Sequence, residues 1–135
     1  MILLPSTLEW IEYAEHDHLT VKTLMEARRI PYEIVAYHCQ QLAEKYLKAI
    51  LIQHGLPVPF IHDLLKLNLA GQVSLPNLRE LEKSCELLTP FGTATRYPGG
   101  TMAIGAEHMG SVVAWAESIR RAVRSHFGLP DAGAS

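Results

Sequence analysis

Cysteine is scarce in this chain. Cys39 and Cys85 are the only two, and neither has further ligands at metal-binding spacing around it. That excludes a disulfide framework and a zinc module. Both fall on apolar helix faces, where a free thiol acts as a small hydrophobe. Long apolar runs are missing too, with nothing near the ~18 residues needed to cross a bilayer. The opening Met1-Ile2-Leu3-Leu4-Pro5 is short and lacks a basic leader, so no signal peptide is expected and the cytoplasm is the default location. Basic surplus is absent: 12 Lys and Arg stand against 14 Asp and Glu, for a net charge of −2. A protein that grips nucleic acid broadly through phosphates is usually basic, so any polyanion site must be local. There is no internal repeat, no low-complexity segment and no Gly-rich phosphate loop. No stretch alternates with period two for long enough to argue a strand. The seven histidines are scattered, and His16 and His18 point to opposed helix faces, so no metal site and no cofactor are expected.

What is present is helical periodicity, in a chain that is 48% hydrophobic and long enough for one self-sufficient core. The longest pattern runs from about Tyr32 to His54, free of Pro and Gly until Gly55. At 100° per residue, Val35, Ala36, Cys39, Leu42, Ala43, Tyr46, Leu47, Ile50 and Leu51 fill one arc. His38, Gln41, Glu44, Lys45 and Lys48 share the other side. The apolar arc covers roughly half the circumference, wider than the ~100° stripe of a surface helix. This segment is expected to be the spine of a bundle, its apolar excess, with that of the last helix, offering a seam for two-fold pairing.

Four further helices are expected around it. Ser6-x-x-Glu9 after Pro5 reads as a capping box, opening a helix that runs to about Arg29, before Pro31. Trp10, Ala14, Val21, Leu24 and Tyr13 would make its inner face. Gly55 to Pro59 is a stiff connection, after which His62-Asp63 starts a short helix ended by Gly71, with Asp63 capping it. Pro76 opens a fourth helix with Leu78, Leu81, Cys85 and Leu88 inside. The last runs from about Ala106 to Phe127, with Met109, Val112, Val113, Ala116, Ile119, Val123 and Phe127 as its seam and Glu117 pairing with Arg121. The expected fold is all-α: an up-and-down four-helix bundle with an additional short helix. The domain spans 1–128, and 129–135 form a flexible tail.

Two polar residues interrupt the apolar faces. Gln40 lies within the spine's apolar arc, and a buried amide without partners costs on the order of 1–3 kcal/mol. Asp17 sits on the inner stripe of the first helix. Each is either a satisfied core or rim residue or part of a polar cluster that handles a ligand.

The run His38-Cys39-Gln40-Gln41-x-x-Glu44-Lys45-x-Leu47-Lys48-Ala49, then Gly55, then His62-Asp63-Leu64, resembles the signature of the HEPN domain. Arg96-Tyr97-Pro98 matches a motif that precedes the last long helix in that family, and Ala14-x-x-Asp17 resembles an element of its first helix. The resemblance implies a helical bundle that dimerises. It also brings two activities, one being metal-independent RNA cleavage through an Arg-x4-6-His motif. The other is a role as nucleotide-binding partner of a separate minimal nucleotidyltransferase, in a toxin–antitoxin-like pair.

Arg121-x4-His126 and Arg120-x5-His126 fit the cleavage spacing. On an unbroken helix, however, residues five or six apart point about 140° or 120° away from each other. The more coherent site is a polar stripe of His38, Gln41, Lys45 and Lys48, joined by His62 and by Arg96 and Tyr97 from the Gly- and Thr-rich segment. Its cations could hold a nucleotide phosphate. Asp17, Gln40, Glu44 and Asp63 would form the structural polar cluster beneath. The expected protein is thus a non-hydrolytic homodimer with a nucleotide ligand and a nucleotidyltransferase partner. The alternatives are an RNase acting on RNA with Arg121 and His126, and a non-catalytic dimeric scaffold.

Overall fold

The computed structural model describes residues 1–93, 98–99 and 103–131. Among these, all regular structure is helical: α1 (Pro5–Met25), α2 (Tyr32–Gln53), α3 (Leu64–Gly71), α4 (Glu82–Leu88) and α5 (Ala106–His126). Short 3-10 turns precede and follow α4, at Pro76–Leu81 and Thr89–Gly92. The fourth helix of the sequence pattern is therefore a composite, tight for its first six residues and α-helical only from Glu82.

The spine is where the pattern puts it. All nine residues of the predicted apolar arc on α2 are buried, and α1, α3, α4 and α5 all touch this helix. Full burial of each large aliphatic side chain contributes about 1.5–3 kcal/mol before conformational entropy is set against it. The apolar surplus of α2 is thus consumed within one chain, and so is that of α5, whose Met109, Val112, Ala116, Ile119, Val123 and Phe127 are buried. The seam expected for two-fold pairing on these helices is covered. Exposed apolar side chains lie on α1, at Leu8, Tyr13 and Leu19, and also elsewhere, at Phe60, Leu69 and Val73 among others.

The C-terminal end of the spine is fixed by identifiable chemistry. Gly55 takes a left-handed φ of 66°, which lets the Leu56 N–H reach back to the Leu51 carbonyl at 2.9 Å and close the last turn. The start of α1 differs from the expected capping box. Leu4, not Ser6, holds the cap position, Pro5 supplies the first turn, and no side chain caps the helix. The free Leu4 N–H is met from outside, by Gln53 Oε1 at 3.0 Å. That same amide accepts from the Thr7 hydroxyl at 2.8 Å and donates to the Ile2 carbonyl at 3.0 Å. α1 also ends at Met25, four residues before the expected Arg29. Asp63 does cap α3, accepting from the Leu65 N–H at 3.0 Å.

The last turns of α5 are not the solvated basic end their composition suggests. Arg120 and Arg124 are buried. Arg120 donates from Nε and Nη2 to the two oxygens of Glu15, each at 2.9 Å. The Tyr46 hydroxyl donates to Glu15 at 2.6 Å and accepts from Arg124 Nη1 at 3.0 Å. Burial alone would raise the Glu15 pKa, but hydrogen bonds from Arg120 and Tyr46 and the charges of both arginines outweigh it and hold it at about 2. The expected Glu117–Arg121 pair is replaced, since Glu117 meets Arg120 at 3.5 Å and His18 at 2.8 Å. The same arginines hold the segment after α5. Arg120 donates to the Asp131 carbonyl at 2.9 Å and Arg124 to the Pro130 carbonyl at 2.6 Å.

Candidate functional site

Asp17 and Glu44 are both buried carboxylates, and each is spanned by one lysine and one imidazole. Asp17 on α1 accepts from His38 Nδ1 at 2.7 Å and from Lys45 Nζ at 2.5 Å, both on α2. Glu44 on α2 accepts from Lys48 Nζ at 3.2 Å one turn on, and from His62 Nδ1 at 2.9 Å. A buried charge without such partners would cost several kcal/mol. Here each carboxylate has at least two donors, so the intrusion of Asp17 into the inner stripe of α1 is resolved locally.

Gln40 links the two halves. Its Nε2 donates to Glu44 at 3.2 Å and to the His62 carbonyl at 3.1 Å, while its Oε1 accepts from Gln41 at 2.8 Å. Gly92 lies against the same amide. A Cβ at that position would come within 3.0 Å of Gln40 Cδ, so the start of the segment carrying Arg96 is seated directly on the cluster. Lys48 Nζ also stands 5.8 Å from the centroid of the Trp10 indole, a cation–π distance. Beyond Trp10 lies a cleft of about 250 Å³ lined by Ser6, Glu9, Trp10 and Tyr13.

These contacts assemble a polar cluster on α2, bordered by α1 and by the segment before α3. His38, Gln41, Lys45, Lys48 and His62 meet there, over Asp17, Gln40 and Glu44. Asp63 is adjacent in sequence but spends its carboxylate on α3. Arg96 and Tyr97 lie outside the described residues. Glu44, expected in the polar layer beneath, is buried, and so is Lys48, expected among the ligand-facing residues. Tyr13, assigned to the inner face, is exposed, and Trp10 is only partly buried.

The cleavage spacing is not brought together. Arg121 is exposed and meets Asp131 at 3.5 Å, whereas His126 Nε2 lies 2.8 Å from His54 Nε2. The neighbouring Arg120 is committed to Glu15. Burial and the nearby His54 both lower the His126 pKa. No group of three or more His, Cys, Asp or Glu among the described residues is arranged to hold a metal. Burial pushes the Cys39 thiol up to about 12 and Cys85 to about 11, so neither is a reactive thiolate.

A family model described as the HEPN domain matches residues 7–126. The chain belongs to the HEPN family. No curated protein and no solved structure gives a match. The HEPN match runs from the first turn of α1 to the end of α5 and includes every residue of the α2 cluster, and the all-helical fold of the described residues agrees with it. No described helix of this HEPN protein is long and apolar enough to cross a membrane.

What sequence reasoning missed is the inner network of Glu15, Tyr46, Arg120 and Arg124. Its one legible trace was an arginine recurring at i and i+4 beside a strongly apolar seam. That spacing puts both guanidiniums on one face, yet it equally describes a solvated helix end.

Proposed function

We propose that this HEPN protein binds the phosphate of a nucleotide at the α2 polar cluster and serves as the binding partner of a separate nucleotidyltransferase, in a toxin–antitoxin-like pair. His38, Gln41, Lys45, Lys48 and His62 are the ligand-facing residues, with Arg96 and Tyr97 contributed by the adjoining segment. The observation that carries the reading is the layering of charge. The carboxylates of Asp17 and Glu44 lie at the bottom, 7% and 6% exposed, while His38 and Lys45 stand above them at 27% and 24%. An arriving anion therefore meets donors before it meets like charge, and ammonium and imidazolium donors suit phosphate oxygens. The working unit is a homodimer, and the exposed Leu8, Tyr13 and Leu19 of α1 support that part of the reading.

Thermal unfolding with ATP tests the proposal. Ligand at 100 times its Kd stabilises by about 2.7 kcal/mol, and the gain should vanish in Lys45→Ala. An unchanged melting temperature at millimolar ATP, in a protein whose far-UV spectrum shows an intact helical fold, would sink it.

A further inference from the structure

We infer that the cleft at the start of α1 receives an arginine side chain of a partner protein. The site is distinct from the α2 polar cluster, and the assignment does not depend on nucleotide binding.

Ser6, Glu9, Trp10 and Tyr13 recur at i, i+3, i+4 and i+7, so they share one face of α1. That face flanks the buried stripe of Thr7, Ile11 and Ala14, which leaves its side chains only partly covered. Glu9 and Tyr13 are exposed, and Trp10 is partly buried against the core. Between them lies a space of about 250 Å³, smaller than the roughly 300–1,000 Å³ of a site for a whole small-molecule ligand. It suits the end of one side chain.

The lining chemistry selects a cation. Among the described residues, the Glu9 carboxylate has no hydrogen-bond or ion-pair partner, and the Ser6 and Tyr13 hydroxyls have none either. A carboxylate only accepts, and both hydroxyls can accept as well. The faces of the Trp10 and Tyr13 rings carry the negative end of their quadrupoles and attract cations. The indole shows this already, with Lys48 Nζ over the ring at 5.8 Å. That ammonium is paired with Glu44 at 3.2 Å, so Glu9 keeps its charge for another partner. Glu12, exposed and also unpaired among the described residues, adds charge of the same sign from the next turn.

Of the two basic side chains, arginine fits this lining better. A guanidinium stacks flat on an aromatic face and presents a fork of N–H donors to a carboxylate, whereas an ammonium acts as a point charge. The occupant is a residue within a protein. A free amino acid would bring its own carboxylate toward Glu9 and Glu12, while a peptide-linked arginine brings only the guanidinium and neutral amides.

The chain has two tryptophans, Trp10 and Trp115, so nitrogen-15 NMR shows two indole N–H signals, and Trp115→Phe assigns the one from Trp10. The test follows that signal in the full-length chain during titration with N-acetyl-arginine methylamide. Its neutral isostere, N-acetyl-citrulline methylamide, is the control. The arginine probe should move the Trp10 signal along a saturating millimolar curve, at least about tenfold more tightly than the citrulline probe. Glu9→Gln should weaken the arginine probe by a similar factor, and Tyr13→Ala should weaken it too. Both substituted side chains are exposed, and an unchanged far-UV spectrum confirms that the fold is kept. Equal binding of the two probes, or an unaltered curve in Glu9→Gln, would overturn the inference. So would tighter binding of spermidine, which carries ammonium groups only. The chain's own Arg96 is the competing occupant, and a response seen in Arg96→Ala but not in wild type would assign the cleft to it and overturn the partner reading. No response in either protein would overturn it as well.

Discussion

Glu15 and Arg120 meet through two parallel hydrogen bonds of 2.9 Å, although 105 positions separate them in the chain. The guanidinium is buried and the carboxylate only part exposed, so α1 and α5 are joined by a bidentate pair in a sheltered site. Breaking such a pair from one side leaves a charge inside with nothing to face. Glu15→Ala is expected to lose about 3–5 kcal/mol in urea unfolding. A loss below 1 kcal/mol would mean that Arg120 finds water or Glu117 instead.

The same carboxylate sets an acid limit. Its folded pKa is held near 2, below the ordinary value of 4.5. Its contribution is therefore fully present above pH 4.5 and is lost as pH falls from there toward 2. Stability measured between pH 5 and 2.5 should decline, and Glu15→Gln should flatten that decline while starting from a lower value.

A second pH effect belongs to His126, whose folded pKa is lowered by burial and by His54. Here the unfolded chain binds the proton more readily. The stability is present above about pH 6.5 and fades as pH drops through that value. Melting temperatures recorded from pH 8 to pH 5 should fall, and His126→Gln should remove part of the slope. An identical slope in the variant would assign it elsewhere.

Gly92→Ala tests the seat of the cluster. The new methyl would press on the Gln40 amide at 3.0–3.3 Å, and that amide cannot move without breaking bonds to Glu44, Gln41 and the His62 carbonyl. A cost of about 1–3 kcal/mol is expected, together with weakened ATP binding.

Truncation after Gly128 should lower the melting temperature, because Arg120 and Arg124 lose the carbonyl acceptors of Asp131 and Pro130. Arg121→Ala, which breaks only an exposed pair with Asp131, should change stability by no more than about 0.5 kcal/mol.

The spine was legible because burial of its nine apolar residues follows from one helix's own period. Helix type and order were legible for the same reason. The α2 polar cluster was legible in part. His38, Gln41, Lys45 and Lys48 share a stripe by arithmetic, and the family motif added His62. What arithmetic on a single helix cannot give is its neighbours. Glu44 and Lys48 are on the polar side of α2, yet Trp10 and the His62 segment cover them. Ser6 and Glu9 have the spacing of a capping box, but neither side chain caps the helix, and the Leu4 N–H is met by the Gln53 amide, 49 positions away. Such long-range polar partners leave no periodic signal.

That Gln53 clasp sets an order of events during synthesis. The residues that open α1 are translated before the spine, yet the side-chain partner described for them, Gln53, is made about fifty codons later. Until then the first turn lacks that contact and frays. The start of α1 therefore settles only after the far end of the spine has been made.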